Sequence, residues 1–277
     1  MAQLFYGSIQ REGVRIQYYR TGGEKPPVIM LHGLADNGLC WNRIPVLLEV
    51  EYDVVLMDAR GHGMSGLDER GAGVSVQADD VNELITQLNL IHPVLIGHSM
   101  GAALAALVAA RLPKIVRGVV LIDPPWREEN AAAPTNGKRP PGEDLQAAYR
   151  KNKATDLETL IARGRLENPG WDESEFPQWA KSKQQFNPEA LKTIWSQDYP
   201  WSEVVARLAC PGLLITGDPE QGAIVTPVVA ERVKKLWRKG RVLHVPAAGH
   251  SIHRDQFRPV MNALYDFLRS LGRWSAK

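Results

Sequence analysis

Cysteine is scarce: the 277-residue chain has two, Cys40 and Cys210. Neither has a CxxC partner, which argues against a zinc knuckle or a redox pair. A domain this large needs no disulfide staple, so both thiols are expected reduced. Charge of one sign is also scarce. Lys and Arg number 33 against 31 Asp and Glu, a net +2, too little to argue for nucleic acid or an anionic membrane surface as partner. The basic pairs Lys138-Arg139 and Lys234-Lys235 are short and read as solvated surface. No apolar run approaches the ~20 residues of a membrane span. The first residues, Met1 to Gly13, lack a basic stretch followed by an apolar one, so no secretory signal is read and the cytoplasm is the expected location. The remainder, 44% hydrophobic and 23% charged, is ordinary globular composition, long enough for one large α/β domain carrying an insertion.

The chain opens as a hairpin, with Leu4, Tyr6 and Ser8 answering Val14, Ile16 and Tyr18 around Glu12-Gly13. Continuous branched runs follow at Pro27–Leu31, Asp53–Met57, Pro93–Ile96 and Val116–Ile122, as expected for strands buried on both faces. Helical spacing lies between them, at Trp41–Val50 and at Val76–Leu90, where Asp79 and Asp80 would complement the helix dipole. This alternation predicts parallel strands with helices on both faces. The rhythm breaks at Asp123-Pro124-Pro125. Asn130 to Glu143 reads as a mobile loop, followed by helical stretches around Leu145–Tyr149, Leu157–Arg165, Gln178–Gln184 and Pro188–Trp195. The strand rhythm returns at Gly212–Thr216 and Arg241–Val245, with helices expected from Pro227 to Arg238 and from Arg254 to Leu271.

Chemistry concentrates in a few turns. Gly97-His98-Ser99-Met100-Gly101 lies between a buried strand and an Ala-rich helix, the setting that a G-x-S-x-G nucleophile elbow requires. Glycines on both sides remove the Cβ atoms that would collide in so sharp a turn, and the helix N-terminus offers N–H groups to a developing oxyanion. Ser99 then needs a base. His250, in a loop of small residues after the last strand, is the expected one, ahead of His98, His253, His62 and His32. The acid that orients it is expected at Asp218, directly after Gly217, with Glu220 as the alternative. Asp123 is a third possibility, although a turn-forming Asp before Pro124 is its commoner explanation. The amides of Met100 and of Leu34, in Leu31-His32-Gly33-Leu34-Ala35, are the expected oxyanion donors.

His32-Gly33, Asp58-Ala59-Arg60-Gly61-His62-Gly63-Met64-Ser65, the Ser99 elbow, Gly217-Asp218 and Gly249-His250 follow one another in an order that resembles the α/β-hydrolase superfamily over essentially the whole chain. The Asp-x-Arg-Gly-x-Gly-x-Ser element is similar to that of the lidded esterase and non-haem haloperoxidase branch, with Arg60 anchoring its own loop. The resemblance implies an eight-stranded, mostly parallel sheet with a helical cap after the sixth strand. Residues 1–123 and 202–277 would then form the core domain and residues 124–201 the cap. Epoxide hydrolases and haloalkane dehalogenases carry an aspartate at the elbow, whereas this chain has Ser99, which attacks acyl carbons. At Pro219-Glu220-Gln221-Gly222 the chain departs from the family pattern with what reads as an insertion.

Five of the eight tryptophans fall in or beside the cap segment: Trp126, Trp171, Trp179, Trp195 and Trp201. Most would fix cap helices to the core. Trp126, just past the sixth strand, is the one expected to line a pocket. The expected activity is a carboxylesterase-type serine hydrolase acting on a small to medium, largely uncharged ester, with neither cofactor nor metal, as a monomer or homodimer. The alternatives are C–C, lactone or perhydrolase chemistry on the same triad, or a ligand-binding receptor.

Overall fold

The computed structural model describes residues 4–128, 144–194 and 200–274. The expected loop Asn130–Glu143 and Trp195 lie outside these residues. The hairpin pairs β1 (Phe5–Arg11) with β2 (Val14–Arg20). Its turn residues Glu12 and Gly13 have φ of 48° and 85°, the left-handed pair that matches strand twist in a two-residue hairpin. Next come β3 (Pro27–Leu31), β4 (Asp53–Met57), β5 (Val94–His98), β6 (Gly118–Ile122) and β7 (Gly212–Thr216), in which every residue is buried. That two-sided burial is why these strands read as aliphatic runs rather than alternating patterns. The sheet has eight strands in the order β1-β2-β4-β3-β5-β6-β7-β8, closed at one edge by β8 (Gly240–His244). The β1–β2 and β2–β4 pairs are antiparallel and the rest are parallel.

Alternate strand residues feed two core layers. Ile29, Leu31, Val119 and Leu121 pack with α2 (Val74–Gln87) and α3 (Met100–Arg111) on one face, after α1 (Arg43–Leu48) has taken the other. Val28, Met30, Val120 and Ile122 point to that opposite layer. Between β6 and β7 run α4 (Leu145–Ala154), α5 (Leu157–Glu167), α6 (Glu175–Gln185), a 3-10 turn at Pro188–Lys192 and α7 (Trp201–Ala206). Asp144 and Asp156 cap α4 and α5, their carboxylates accepting from Gln146 N at 2.9 Å and Thr159 N at 2.8 Å. After β7 come α8 (Pro227–Leu236), α9 (Ile252–Asp255) and α10 (Phe257–Ser270).

Several helices differ from their expected spans. The Trp41–Val50 helix is a 3-10 turn at Gly38–Trp41 followed by the shorter α1. The α2 helix begins at Val74, ahead of the expected Val76. The Arg254–Leu271 helix is broken at Gln256, whose φ of −132° and ψ of 64° are not helical. Arg254 and Asp255 are held there by tertiary bonds described below, which override helical continuity. Asp80 has a different task from the one expected: it is fully buried and takes both Nε and Nη2 of Arg60. Arg60, also fully buried, donates to Asp68 at 3.0 Å as well, and so anchors its own loop. No helix among the described residues is long and apolar enough to cross a membrane.

Candidate active site

The strand β5 ends at His98, and α3 begins at Met100. Ser99 between them has φ 53° and ψ −119°, a region that a β-substituted residue occupies only under strain. The turn closes because its neighbours lack side chains. A Cβ at Gly97 would lie 2.2 Å from Gly101 O, and one at Gly101 would lie 2.0 Å from Leu31 O. Ser99 N donates to Ile122 O at 2.9 Å, stitching the elbow to β6. Ser99 O accepts from Ala102 N and Ala103 N, and the opening amides of α3 have no intrahelical acceptor, as at any helix start.

His250 reaches this serine from the loop after β8. Its Nε2 lies 2.9 Å from Ser99 Oγ, and its Nδ1 lies 2.6 Å from Asp123 Oδ2. The carboxylate that meets His250 is thus that of Asp123, not the expected Asp218 or Glu220. Asp123 directly follows β6, is fully buried and has φ 43°. Its carboxylate also accepts from Ile224 N at 2.8 Å and Val225 N at 2.9 Å. The loop after β7 therefore supplies amides that aim the carboxylate, rather than the carboxylate itself. Asp218 is engaged elsewhere, accepting from Ala247 N at 2.8 Å and lying 3.0 Å from His244 Nε2. Glu220 is exposed on the turn Pro219–Gln221.

The other histidines near the elbow are buried. His98 Nε2 donates to the carbonyl of His250 at 2.9 Å, which holds the His250 backbone in place. Burial, then the neighbouring His250, pushes His98 down to about 3, so it stays neutral. His253 packs against His98 and Trp41 with ring centroids 4.7 and 5.0 Å away, and burial holds it well below its usual range. His32 Nδ1 donates to Gly33 O at 2.8 Å, while its Nε2 accepts from Ala59 N at 3.0 Å. His62 Nδ1 donates to Arg60 O at 2.7 Å, and burial pushes it down to about 3. These two rings brace the loop that carries Leu34. A Cβ at Gly33 would fall 2.8 Å from His98 Nδ1 and 3.3 Å from Ser99 Cβ, so this loop runs hard against the serine. Leu34 and Met100 are thus beside Ser99 on two sides.

A buried ion network supports that loop from the inserted helices, and the sequence carried no local sign of it. Lys183, in α6, donates to Ala35 O at 3.0 Å and Asp36 Oδ1 at 2.6 Å. Arg254 donates to Asp36 Oδ2 at 2.9 Å and Cys40 O at 3.2 Å, with Glu175 3.4 Å from its Nε. All four charged groups are buried. Asp36 loses solvation, which favours its neutral form, but Arg254 and Lys183 outweigh this and hold its carboxyl far below the usual range. Asp36 thereby joins the turn after β3, the segment following His250 and α6. Asp255 adds to this, accepting from Gly249 N at 2.8 Å and Trp171 Nε1 at 2.7 Å.

Trp171 and Trp179 pack with Phe176 and fasten the inserted helices. Trp126 does something else. It is buried, stacks on Trp201 with centroids 5.4 Å apart, and lines a mainly apolar cavity along α3 with Met100, Leu104, Leu107 and Val204. Ser99 and His250 are not in its walls; Met100 links the two. Cys40 and Cys210 are free and buried, their thiols pushed up by burial to about 12 and about 11. Among the described residues no group of three or more His, Cys, Asp or Glu could hold a metal ion.

Residues 28–263 match the family model described as the alpha/beta hydrolase family. Over 256 residues the chain is 26% identical to a 2-(acetamidomethylene)succinate hydrolase of Mesorhizobium japonicum, covering 90% of each chain. It is 25% identical over 269 residues to an N-formylmaleamate deformylase of Pseudomonas putida, covering 95% of this chain and 96% of that one. The crystal structure of an N-formylmaleamic acid deformylase from Pseudomonas putida S16 superposes with a TM-score of 0.77 at 21% identity, over 94% of this chain and all (100%) of that one. A non-heme chloroperoxidase of Kitasatospora aureofaciens is 35% identical over 114 residues, 40% of this chain and 41% of that one.

Proposed function

The chain belongs to the α/β-hydrolase family, and from that premise we propose that it is a serine hydrolase of carboxylesterase type acting on small to medium, largely uncharged esters. The observation that carries this reading is the line Ser99 Oγ–His250 Nε2 at 2.9 Å and His250 Nδ1–Asp123 Oδ2 at 2.6 Å. Asp123 holds the proton of His250 on Nδ1, leaving Nε2 free to accept the proton of Ser99 as Oγ bonds to the acyl carbon. The amides of Leu34 and Met100 receive the oxyanion. Collapse breaks the bond to the leaving alkoxide, which takes the proton from His250 Nε2. Water then attacks the acyl-enzyme by the same base and releases the acid and free Ser99. The chain's own residues supply the nucleophile, the base, the orienting acid and the oxyanion donors of these steps.

The ester preference rests on the cavity beside Met100, whose lining among the described residues has no Lys or Arg to pair with an anionic substrate. A second reading, cleavage of an activated N-acyl bond, is favoured by the names of the two relatives that span the chain. Both chemistries pass through an acyl-enzyme on Ser99, differing in the acyl group and the leaving group. Steady-state hydrolysis of p-nitrophenyl acetate, butyrate, octanoate and palmitate, set against N-formylmaleamate and with Ser99→Ala as control, separates them. Ester turnover that disappears in the variant is the expected result. Turnover of the formyl amide alone moves the assignment to the second reading, and full turnover by Ser99→Ala overturns both.

A further inference from the structure

The helix α6 reaches the loop beside Ser99 through a buried cation. Lys183 is 8% exposed, and its ammonium donates to Ala35 O at 3.0 Å and Asp36 Oδ1 at 2.6 Å. Both acceptors belong to the turn 33–36, which closes with Asp36 N donating to Gly33 O at 3.1 Å. Ala35, third in this turn, has φ 58°, a position that such turns normally give to glycine. An alanine stays there only where its surroundings compel it. The His32 ring grips the front of the turn, through Gly33 O and Ala59 N. Lys183 grips its back. The helix gives this grip a fixed anchorage: Gln178 and Gln185, on either side of Lys183, bond Asn37 at 2.9 and 2.7 Å, and the Trp179 ring lies 5.0 Å from Nζ. Between the two grips the turn carries Leu34 and runs against Ser99.

We propose that Lys183 is a positioning residue: by holding the turn 33–36 from the inserted helices, it sets the Leu34 amide where the oxyanion forms. The proposal rests on the acyl-enzyme reading above, in which that amide is a donor. Lys183 touches no reacting atom and acts through Ala35 and Asp36. The length of its side chain then matters as much as its charge. The glutamine amide nitrogen would fall about 1.5 Å short of the ammonium position, so it could serve only one of the two acceptors. Arginine would put Cζ where Nζ stands, and its terminal nitrogens would reach about 1.3 Å further, so acceptors already in contact must yield. Misplacement by about 1 Å in a catalytic site can lower the rate about 10²-fold.

The test measures kcat and KM on p-nitrophenyl butyrate for the wild type, Lys183→Arg and Lys183→Gln. Affinity for butaneboronic acid is measured beside them, since its serine adduct places a hydroxyl at the oxyanion position, and urea unfolding reports stability. Lys183→Arg keeps a cation beside Asp36 and is expected to fold with near-native stability. Its kcat should nevertheless fall about 10–100-fold with KM within about twofold of wild type, and boronate affinity should fall by the same factor as kcat. Lys183→Gln should show the same split with lower stability, and either variant decides by itself if the other does not fold. A folded variant that keeps either kcat or boronate affinity within about threefold of wild type overturns the proposal and leaves Lys183 a fastening of α6. If the wild type neither hydrolyses the ester nor binds the boronate, the acyl-enzyme reading has failed by itself. Isotopic labelling of leucine then decides by nuclear magnetic resonance: a shifted Leu34 amide in the variants sustains the hold of Lys183 on the turn, and an unchanged one overturns it.

Discussion

Replacing Asp123 by asparagine is the most discriminating perturbation of the site. The backbone around this position decides which way the new amide would face. Val225 N donates to Asp123 Oδ1 at 2.9 Å, so the carbonyl of the substituted side chain is kept on that side. The NH2 group then takes the place of Oδ2, where it meets His250 Nδ1 at 2.6 Å and Ile224 N at 2.8 Å. A donor facing Nδ1 forces the imidazole proton onto Nε2, and Nε2 can no longer accept the proton of Ser99. In a serine protease triad the same exchange lowers kcat about 10⁴-fold through the wrong tautomer. A fall of that order is expected here. Stability should fall as well, by about 1.5–3 kcal/mol for each hydrogen bond lost to the charged carboxylate. The paired variant is Asp218→Asn, which disturbs Ala247 N, His244 and Gln221 Nε2; its cost is about 1 kcal/mol of stability with kcat little changed. Initial rates on p-nitrophenyl butyrate and urea unfolding of both variants make the comparison. A larger rate loss in Asp218→Asn than in Asp123→Asn would refute the assignment.

Three further outcomes follow from the packing. His62 and His98 are held at about 3 against 6.5 for an unperturbed histidine, so between these values the unfolded chain binds protons that the folded one does not. Stability is therefore full above the unfolded value and falls as the pH drops below it, by about 1.4 kcal/mol per pH unit for each ring. Melting temperature measured from pH 7.5 to 5 should decline with that slope, and a flat profile contradicts it. Lys183→Met leaves Asp36 and Glu175 buried with one cation fewer and should cost about 3–5 kcal/mol in urea. Lys192→Met removes an exposed partner of Glu189 and should leave stability nearly unchanged; equal losses would show that the buried network is not what fastens α6. Gly101→Ala puts a Cβ 2.0 Å from Leu31 O and should abolish folded yield. Gly13→Ala, with no atom within 4 Å but φ +85°, should cost about 1–2 kcal/mol, as circular dichroism melts would record.

The choice of acid marks where the sequence stops being readable. Strands buried on both faces announce themselves as aliphatic runs, and the glycines around Ser99 announce a turn that only they permit, so the sheet and the elbow were legible locally. The positions of Ser99 and His250 were legible through chain order. The carboxylate that meets His250 was not, because β6 and β7 are neighbours in the sheet, with Ile122 registered opposite Ile215. Asp123 and Asp218 follow strands spaced about 4.8 Å apart, and both lie between Ser99 and His250 in the chain. A loop reaching over from β8 can address either. What separates them is non-local: the Ile224 and Val225 amides converge on Asp123, while Ala247 N and His244 occupy Asp218. The Lys183–Asp36–Arg254 network was illegible for the same reason, since its members are 147 and 218 residues apart and none carries a local motif. Periodicity and turn chemistry reveal where side chains can go. Which of two equivalent carboxylates is aimed depends on the backbone amides brought to it by another part of the chain, and spacing carries no trace of that.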